Sequence, residues 1–313
     1  MKKLKQKYTR FALIIVAVLV VLMIVGSFLD LKISRLLYPG HESSFGQFFA
    51  AFGELPAFLC ITSGGVLLFL IRDRLRKPLR MLAAAGAVLL VVGGIFLAVH
   101  EATDNVPALP GWVALLVAVF FTAVCGGALI LVTRTCPVKT VFRFLCTLVF
   151  CAVVTMAVIN IIKVPWGRVR MRLIVSTGNE SYFTPWWKAG KALRDKLVAE
   201  GISADEFRSF PSGHTSCAAC SMLLVLLPTL GKQFRGRETG GLIVGAVWTL
   251  LVAGSRIFMG AHFLTDVTMA ALIAVIVCII GVNLFYFNGK FFRFLWNLLF
   301  EPSENMQEER KKR

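Results

Sequence analysis

The feature that most constrains this chain is a series of apolar runs, each about as long as a lipid hydrocarbon core is thick. Eight can be marked off, at residues 11–29, 55–71, 81–99, 112–132, 144–162, 213–230, 242–257 and 264–287. A membrane-spanning helix needs about 20 predominantly apolar residues. The chain is 57% hydrophobic, above the roughly 45–50% of a soluble domain. The pattern predicts an all-α polytopic membrane protein with about eight transmembrane helices. The run at 213–230 is the weakest, being short and polar at its start. The first run follows a basic segment, Met1–Arg10, but is too long for a signal-peptide core and no small-residue cleavage site follows it. It reads as a retained span.

Charge sets the expected orientation. With the N-terminus inside, the inner segments carry 22 of the 34 Lys and Arg residues. Nine of the other 12 fall in the outer loop at 163–212, and the outer loop at 100–111 has none. Cytoplasmic loops collect Lys and Arg. The net charge of +17 therefore reads as membrane topology rather than nucleic-acid binding, with both termini cytoplasmic. None of the eight cysteines lies in the polar loop at 171–210, so no disulfide framework is expected. Cys217 and Cys220 have CxxC spacing without a second pair and read as small packing residues. Trp186, Ala189, Leu193 and Leu197 recur at helical spacing with lysines and an arginine between them. This stretch is either an interfacial amphipathic helix or a hairpin packed on the protein itself. A second such stretch, at 290–300, reads as juxtamembrane, and the polar tail from residue 301 as disordered.

Three segments far apart in sequence place reactive side chains on the outer face. They are Lys163 with Arg170, then Ser212-Gly213-His214, then Ser255-Arg256 with His262 and Asp266. A phosphate ester dianion is costly to hold near hydrocarbon unless it is paired. Lys163, Arg170 and Arg256 supply the charge, and arginine's fork suits phosphate oxygens. Ser212 and Gly213 open the sixth run, where backbone N–H groups of a helix N-terminus can face an anion. If the last helix starts near Ala261, His262 and Asp266 stand one turn apart. The carboxylate then fixes the imidazole tautomer and leaves the other nitrogen to attack. His214, on another helix, can protonate the departing oxygen. Arg168 and Arg172 flank this set and are expected to anchor at the interface, the alternative being recruitment of anionic headgroups. His100, Glu101 and Asp104 read as a polar outer loop rather than a metal site, and no metal or other cofactor is expected.

These residues resemble the type 2 phosphatidic acid phosphatase (PAP2) family. Its motifs are a lysine, six residues and Arg-Pro; Pro-Ser-Gly-His; and Ser-Arg, five residues, His, three residues, Asp. Here they are Lys163 to Arg170, Pro211 to His214, and Ser255-Arg256 with His262 and Asp266. Met171 takes the place of the motif's proline, a position that shapes the backbone rather than touching phosphate. The resemblance covers about 163–266. It implies a six-helix catalytic core at 79–287, with residues 1–78 a basic segment and two added helices of no assigned role, and 288–313 a cytoplasmic tail. It further implies a metal-independent phosphatase passing through a phosphohistidine. His262 would be the nucleophile, Asp266 its orienter and His214 the acid, with Lys163, Arg170, Ser212, Gly213 and Arg256 binding the phosphoryl group. The expected substrate is a phosphorylated lipid at the outer face of a bacterial cytoplasmic membrane: phosphatidate, phosphatidylglycerol phosphate or undecaprenyl diphosphate. The alternatives are a phosphatase of a soluble ester and a non-catalytic lipid-binding or transport protein keeping the motif. A vanadium-dependent haloperoxidase shares the constellation but is soluble.

Overall fold

The computed structural model describes residues 2–40 and 43–300; the tail from 301, expected above to be disordered, lies outside the described residues. The elements in chain order are α1 (Lys2–Leu37), α2 (Ser44–Phe52), α3 (Leu55–Ile71), α4 (Lys77–Asn105), α5 (Gly111–Thr133), α6 (Val138–Trp166), α7 (Met171–Thr177), α8 (Lys191–Ala199), α9 (Gly213–Ala219), α10 (Glu238–Phe258), α11 (Leu264–Val282) and α12 (Gly289–Leu299). Among the described residues, seven helical stretches are long and apolar enough to cross a membrane, and Gly213–Thr229 is a shorter eighth. The protein is an all-α integral membrane protein. Large apolar side chains such as Leu89, Phe96, Phe120 and Leu250 point outward, where lipid tails meet them.

The short run owes its reach to its geometry. After the seven residues of α9, the ten residues Cys220–Thr229 form a 3-10 helix. Its rise of about 2.0 Å per residue, against 1.5 Å in an α-helix, lets this segment extend about 30 Å. The second span is longer than hydropathy predicts, because α2 continues into α3 through a break at Gly53-Glu54. Pro56, near the start of α3, has no N–H to carry a helical ladder back into α2.

In lipid, helices associate by close packing rather than by hydrophobic exclusion, so small residues mark their contacts. A side chain at Gly245 would stand 2.6 Å from the backbone of Met222, so α10 lies directly on the 3-10 segment. At Gly26 a Cβ would stand 2.7 Å from Thr265 Cγ2. That approach seats α1 on the first turn of α11. α12 lies across one end of the bundle, with Phe292 and Trp296 packed on Phe142 and Phe294 exposed.

The outer loop is packed on the protein. Only Lys191–Ala199 is helical in the stretch expected as an amphipathic helix, and Leu197 is buried with Val169, Met171, Phe207 and Phe263. Trp186 stacks on Phe210, and its Nε1 donates to Ser27 Oγ at 2.9 Å. These contacts support the reading in which this loop packs on the protein itself.

Candidate active site

The three sequence segments are stitched together by main-chain hydrogen bonds. Ser209 N donates to Arg168 O (3.1 Å), Arg170 N to Glu206 O (2.8 Å), Arg172 N to Gly260 O (2.9 Å) and Ser212 N to Asp266 O (3.1 Å). Two glycines permit this. Gly167 ends α6 in the left-handed region at φ 69° and turns the chain into the first motif. Gly260, at φ 61°, brings its carbonyl to Arg172, where a Cβ would stand 3.1 Å from Arg172 N. Met171 stands at the first position of α7, and the preceding Arg170 is extended (φ −79°, ψ 149°). That is the backbone that favours proline at a helix start, so methionine occupies a proline-compatible site.

A cavity of about 240 Å³ opens at this end of the bundle, lined by Lys163, Arg170, Gly213, His214, Arg256 and His262. Residues that converge here come from the C-terminal ends of α6 and α10 and the N-terminal ends of α9 and α11. Alternating up-and-down spans bring those ends together.

His262 is buried, and its Nδ1 donates to the Ser209 carbonyl at 2.5 Å. That bond puts the proton on Nδ1 and leaves the Nε2 lone pair unprotonated. The orienting contact expected from Asp266 is not direct: Asp266 Oδ2 is 3.9 Å from His262 Nδ1. The reason is local. α11 begins at Leu264, not near Ala261, so His262 lies in the preceding turn. Asp266 is instead the third residue of the helix and accepts the Phe263 N–H at 2.8 Å. It also accepts Ser209 Oγ–H at 2.5 Å, and so positions His262 through Ser209. Burial first, and then the charges of Lys163 and Arg170, hold the His262 imidazole well below its ordinary pKa.

Arg168 corrects a further expectation. It is fully buried rather than an interface anchor. Its guanidinium pairs with Asp266 and with Asp30 (2.9 Å to Oδ2), donates to Thr265 Oγ1 (2.9 Å) and stacks over the Phe263 ring. Asp30 also accepts the Thr265 N–H at 2.9 Å. Arg172 likewise is taken up by Glu206 at 2.6 Å.

The cations are held differently. Arg256 Nη2 donates to the Gly46 carbonyl at 2.5 Å. Arg170 is forked onto Asp205, with its Nη2 at 3.1 Å, while its Nε is buried without a hydrogen-bond partner. Lys163 Nζ lies close to Gly213, 3.2 Å from where a Cβ would be. Ser212 departs from expectation. Its N–H is spent on Asp266, its Oγ caps Thr215 N, and it is fully buried behind the cavity wall.

The first two spans, given no role from the sequence, both reach the site. α1 delivers Asp30, and the α2–α3 segment delivers the Gly46 and Ala50 carbonyls and Glu54. The signal was present: Asp30 and Glu54 are acidic residues bordering apolar runs, and an ionisable group at membrane depth is a functional candidate by default. Glu101 and Asp104 also line the cavity. Among the described residues, no three of His, Cys, Asp and Glu stand together as a metal-ligand set.

A 117-residue stretch is 40% identical to phosphatidylglycerophosphatase B of Haemophilus influenzae, covering 32% of this chain and 48% of that protein. The match thus spans about half the length of the curated relative. No solved structure matches the chain. The PAP2 superfamily pattern matches residues 144–290, which hold Lys163, Arg170, His214, Arg256, His262 and Asp266. Residues 144–290 of this membrane protein are a domain of the PAP2 superfamily.

Proposed function

We propose that this protein is an integral-membrane phosphatase that removes phosphate from a lipid phosphate monoester or diphosphate through a phosphohistidine on His262. The observation that carries the reading is the His262–Ser209 bond. It presents a neutral imidazole with an open Nε2 in the cavity that Lys163, Arg170 and Arg256 make positive. The three cations and the Gly213 backbone hold the phosphoryl group, and the buried Arg170 Nε has a donor to offer it. As Nε2 attacks phosphorus, the ester P–O bond breaks and His214 protonates the leaving oxygen. Water then attacks the phosphohistidine, and inorganic phosphate leaves. Asp266 keeps the attacking ring in place through Ser209.

A lipid is favoured because the cavity lies at the ends of the spans, where lipid headgroups lie, and because the relative's name specifies a phosphatidylglycerol phosphate. The charge pattern of the loops favours an outer cavity with both termini in the cytoplasm, and the bacterial source of the relative supports a bacterial cytoplasmic membrane. The six spans from α4 onward would form the catalytic core.

The test is phosphate release from phosphatidate, phosphatidylglycerol phosphate, undecaprenyl diphosphate and sugar phosphates, with and without excess EDTA. Turnover of at least one lipid, unaffected by EDTA and reduced roughly 10⁴-fold in His262→Ala, is expected. Full activity in that variant would remove His262 from the mechanism. Turnover of sugar phosphates alone would move the substrate class to soluble esters.

A further inference from the structure

Both ring nitrogens of His214 are engaged, and by groups from the second span rather than from the family domain. Nε2 lies 3.0 Å from the Ala50 carbonyl. A carbonyl only accepts, so Nε2 carries a hydrogen. Nδ1 lies 3.1 Å from Glu54 Oε1, with both side chains about nine-tenths buried. Were the imidazole neutral and Glu54 ionised, two lone pairs would face each other at that distance without water between them. The contact therefore contains a proton, on nitrogen or on oxygen.

The fold makes this contact at the α2–α3 break. Interrupting the helix at Gly53-Glu54 leaves carbonyls at the end of α2 without helical partners. Ala50 O takes His214, and Gly53 O takes Trp248 Nε1 at 3.3 Å. The same break points Glu54 into the cavity. There its Oε1 lies 3.5 Å from the ideal Cβ position of Gly213, and Lys163 Nζ lies 3.2 Å from that position. The carboxyl thus borders the space in which Lys163 would meet a phosphate.

We propose that Glu54 and His214 hold one proton between them, and that the pair supplies the proton taken by the leaving oxygen, with Glu54 acting as a positioning and proton-holding residue through His214. This rests on the phosphatase reading above. In the first step the bond from His262 Nε2 to phosphorus forms, the P–O bond to the lipid breaks, and the shared proton goes to the departing oxygen. In the second, water attacks phosphorus, its proton returns to the Glu54–His214 pair, and the P–N bond breaks. Charged or titratable groups facing the pair are Lys163, Arg170, Arg256, His262, Glu101 and Cys217, whose thiol also donates to the Glu54 carboxyl. The three cations repel the shared proton and so favour its transfer to the departing oxygen.

The test uses the full chain in lipid–detergent micelles, with phosphatidate as the ester of a poor leaving group and 4-nitrophenyl phosphate as that of a good one. Glu54→Gln is expected to lose about 100-fold in kcat on phosphatidate and less than about 5-fold on the aryl ester. The alkaline limb of its pH profile should move to lower pH by about one unit or more, because an amide no longer favours the imidazolium. Glu54→Asp, which keeps a carboxylate, should recover about 10-fold or more of the phosphatidate rate. Equal losses on both esters, with the alkaline limb unmoved, would make Glu54 merely structural and overturn the proposal. If the glutamine variant fails to fold, the aspartate variant decides alone. A loss confined to phosphatidate supports the shared proton, and an equal loss on both esters rejects it. His262→Ala is run beside them. Turnover in that variant would sink the phosphohistidine reading and this proposal with it. A dead His262→Ala beside a wild-type-like Glu54→Gln would sink this proposal alone.

Discussion

The two histidines of the cavity are the same residue type in opposite settings. His262 gives Nδ1 to a backbone carbonyl and keeps Nε2 open, backed by a closed web of Ser209, Asp266, Arg168, Thr265 and Asp30. His214 has a carbonyl on one nitrogen and a carboxyl on the other, in a broken helix that reaches the site from the N-terminal side. In the proposed mechanism the first environment suits an attacking nitrogen that is short of a proton, and the second a group that has one to give. On that reading, what separates attacker from acid is the partner on the second nitrogen, not the position of either residue in its motif.

The hardest way to break the comparison is at Arg168. Removing it leaves Asp30 and Asp266 buried together without their cation. Losing one partner of a buried pair costs about 3–5 kcal/mol, so Arg168→Ala should lower thermal stability steeply. The loss should fall on the His262 side, because Ser209 is bonded both to the Arg168 carbonyl and to Asp266. Thermal denaturation of the purified variant measures the first effect. In whatever fraction stays folded, formation of the acid-labile phosphoenzyme measures the second. A variant as stable as the parent would show that the web carries little of the fold.

The same arginine shows where the sequence was legible and where it was not. The apolar runs marked the seven long helices and the shorter eighth, and the motif spacing picked out Lys163, Arg170, Gly213, His214, Arg256 and His262, which line the cavity, because both are periodic or local signals. The side-chain partners were not legible. Arg168 and Arg170 differ by two positions and look alike in sequence, yet one is sealed by Asp30 from α1 and the other borders the cavity. No spacing rule links residue 30 to residue 168, since the contact exists only after α1 packs on α11 through Gly26. Likewise the His262–Asp266 spacing suggested a direct bond, and the start of α11 at Leu264 turned it into an indirect one.

A gentler probe reads the protonation states directly. The His262 imidazole is pushed below its ordinary value of 6.5 by burial and by the nearby cations. It should therefore stay neutral, with its hydrogen on Nδ1, as pH falls through about 6. Nitrogen chemical shifts of ¹⁵N-labelled histidine, assigned by comparison with His262→Ala, would show this. A midpoint at or above 6.5 would contradict the environment described. The sign carries into stability: the unfolded chain binds its proton first, so this group's contribution falls as pH drops below 6.5 and is undiminished above it.

The smallest expected effect lies on the cationic wall. Arg170, assigned to phosphate, is forked onto Asp205, whose side chain is 49% exposed. A phosphate entering the cavity must compete with that carboxylate for the same guanidinium. An ion pair with one exposed partner is worth about 0.2–1 kcal/mol, so Asp205→Asn should tighten binding by no more than about 5-fold. Inhibition of turnover by inorganic phosphate reads this out: the inhibition constant should fall in the variant while kcat stays near the parental value. A rise instead would mean that Asp205 holds Arg170 in place for the substrate. The cationic wall would then be as firmly braced as the His262 side, where Asp266 does the same through Ser209.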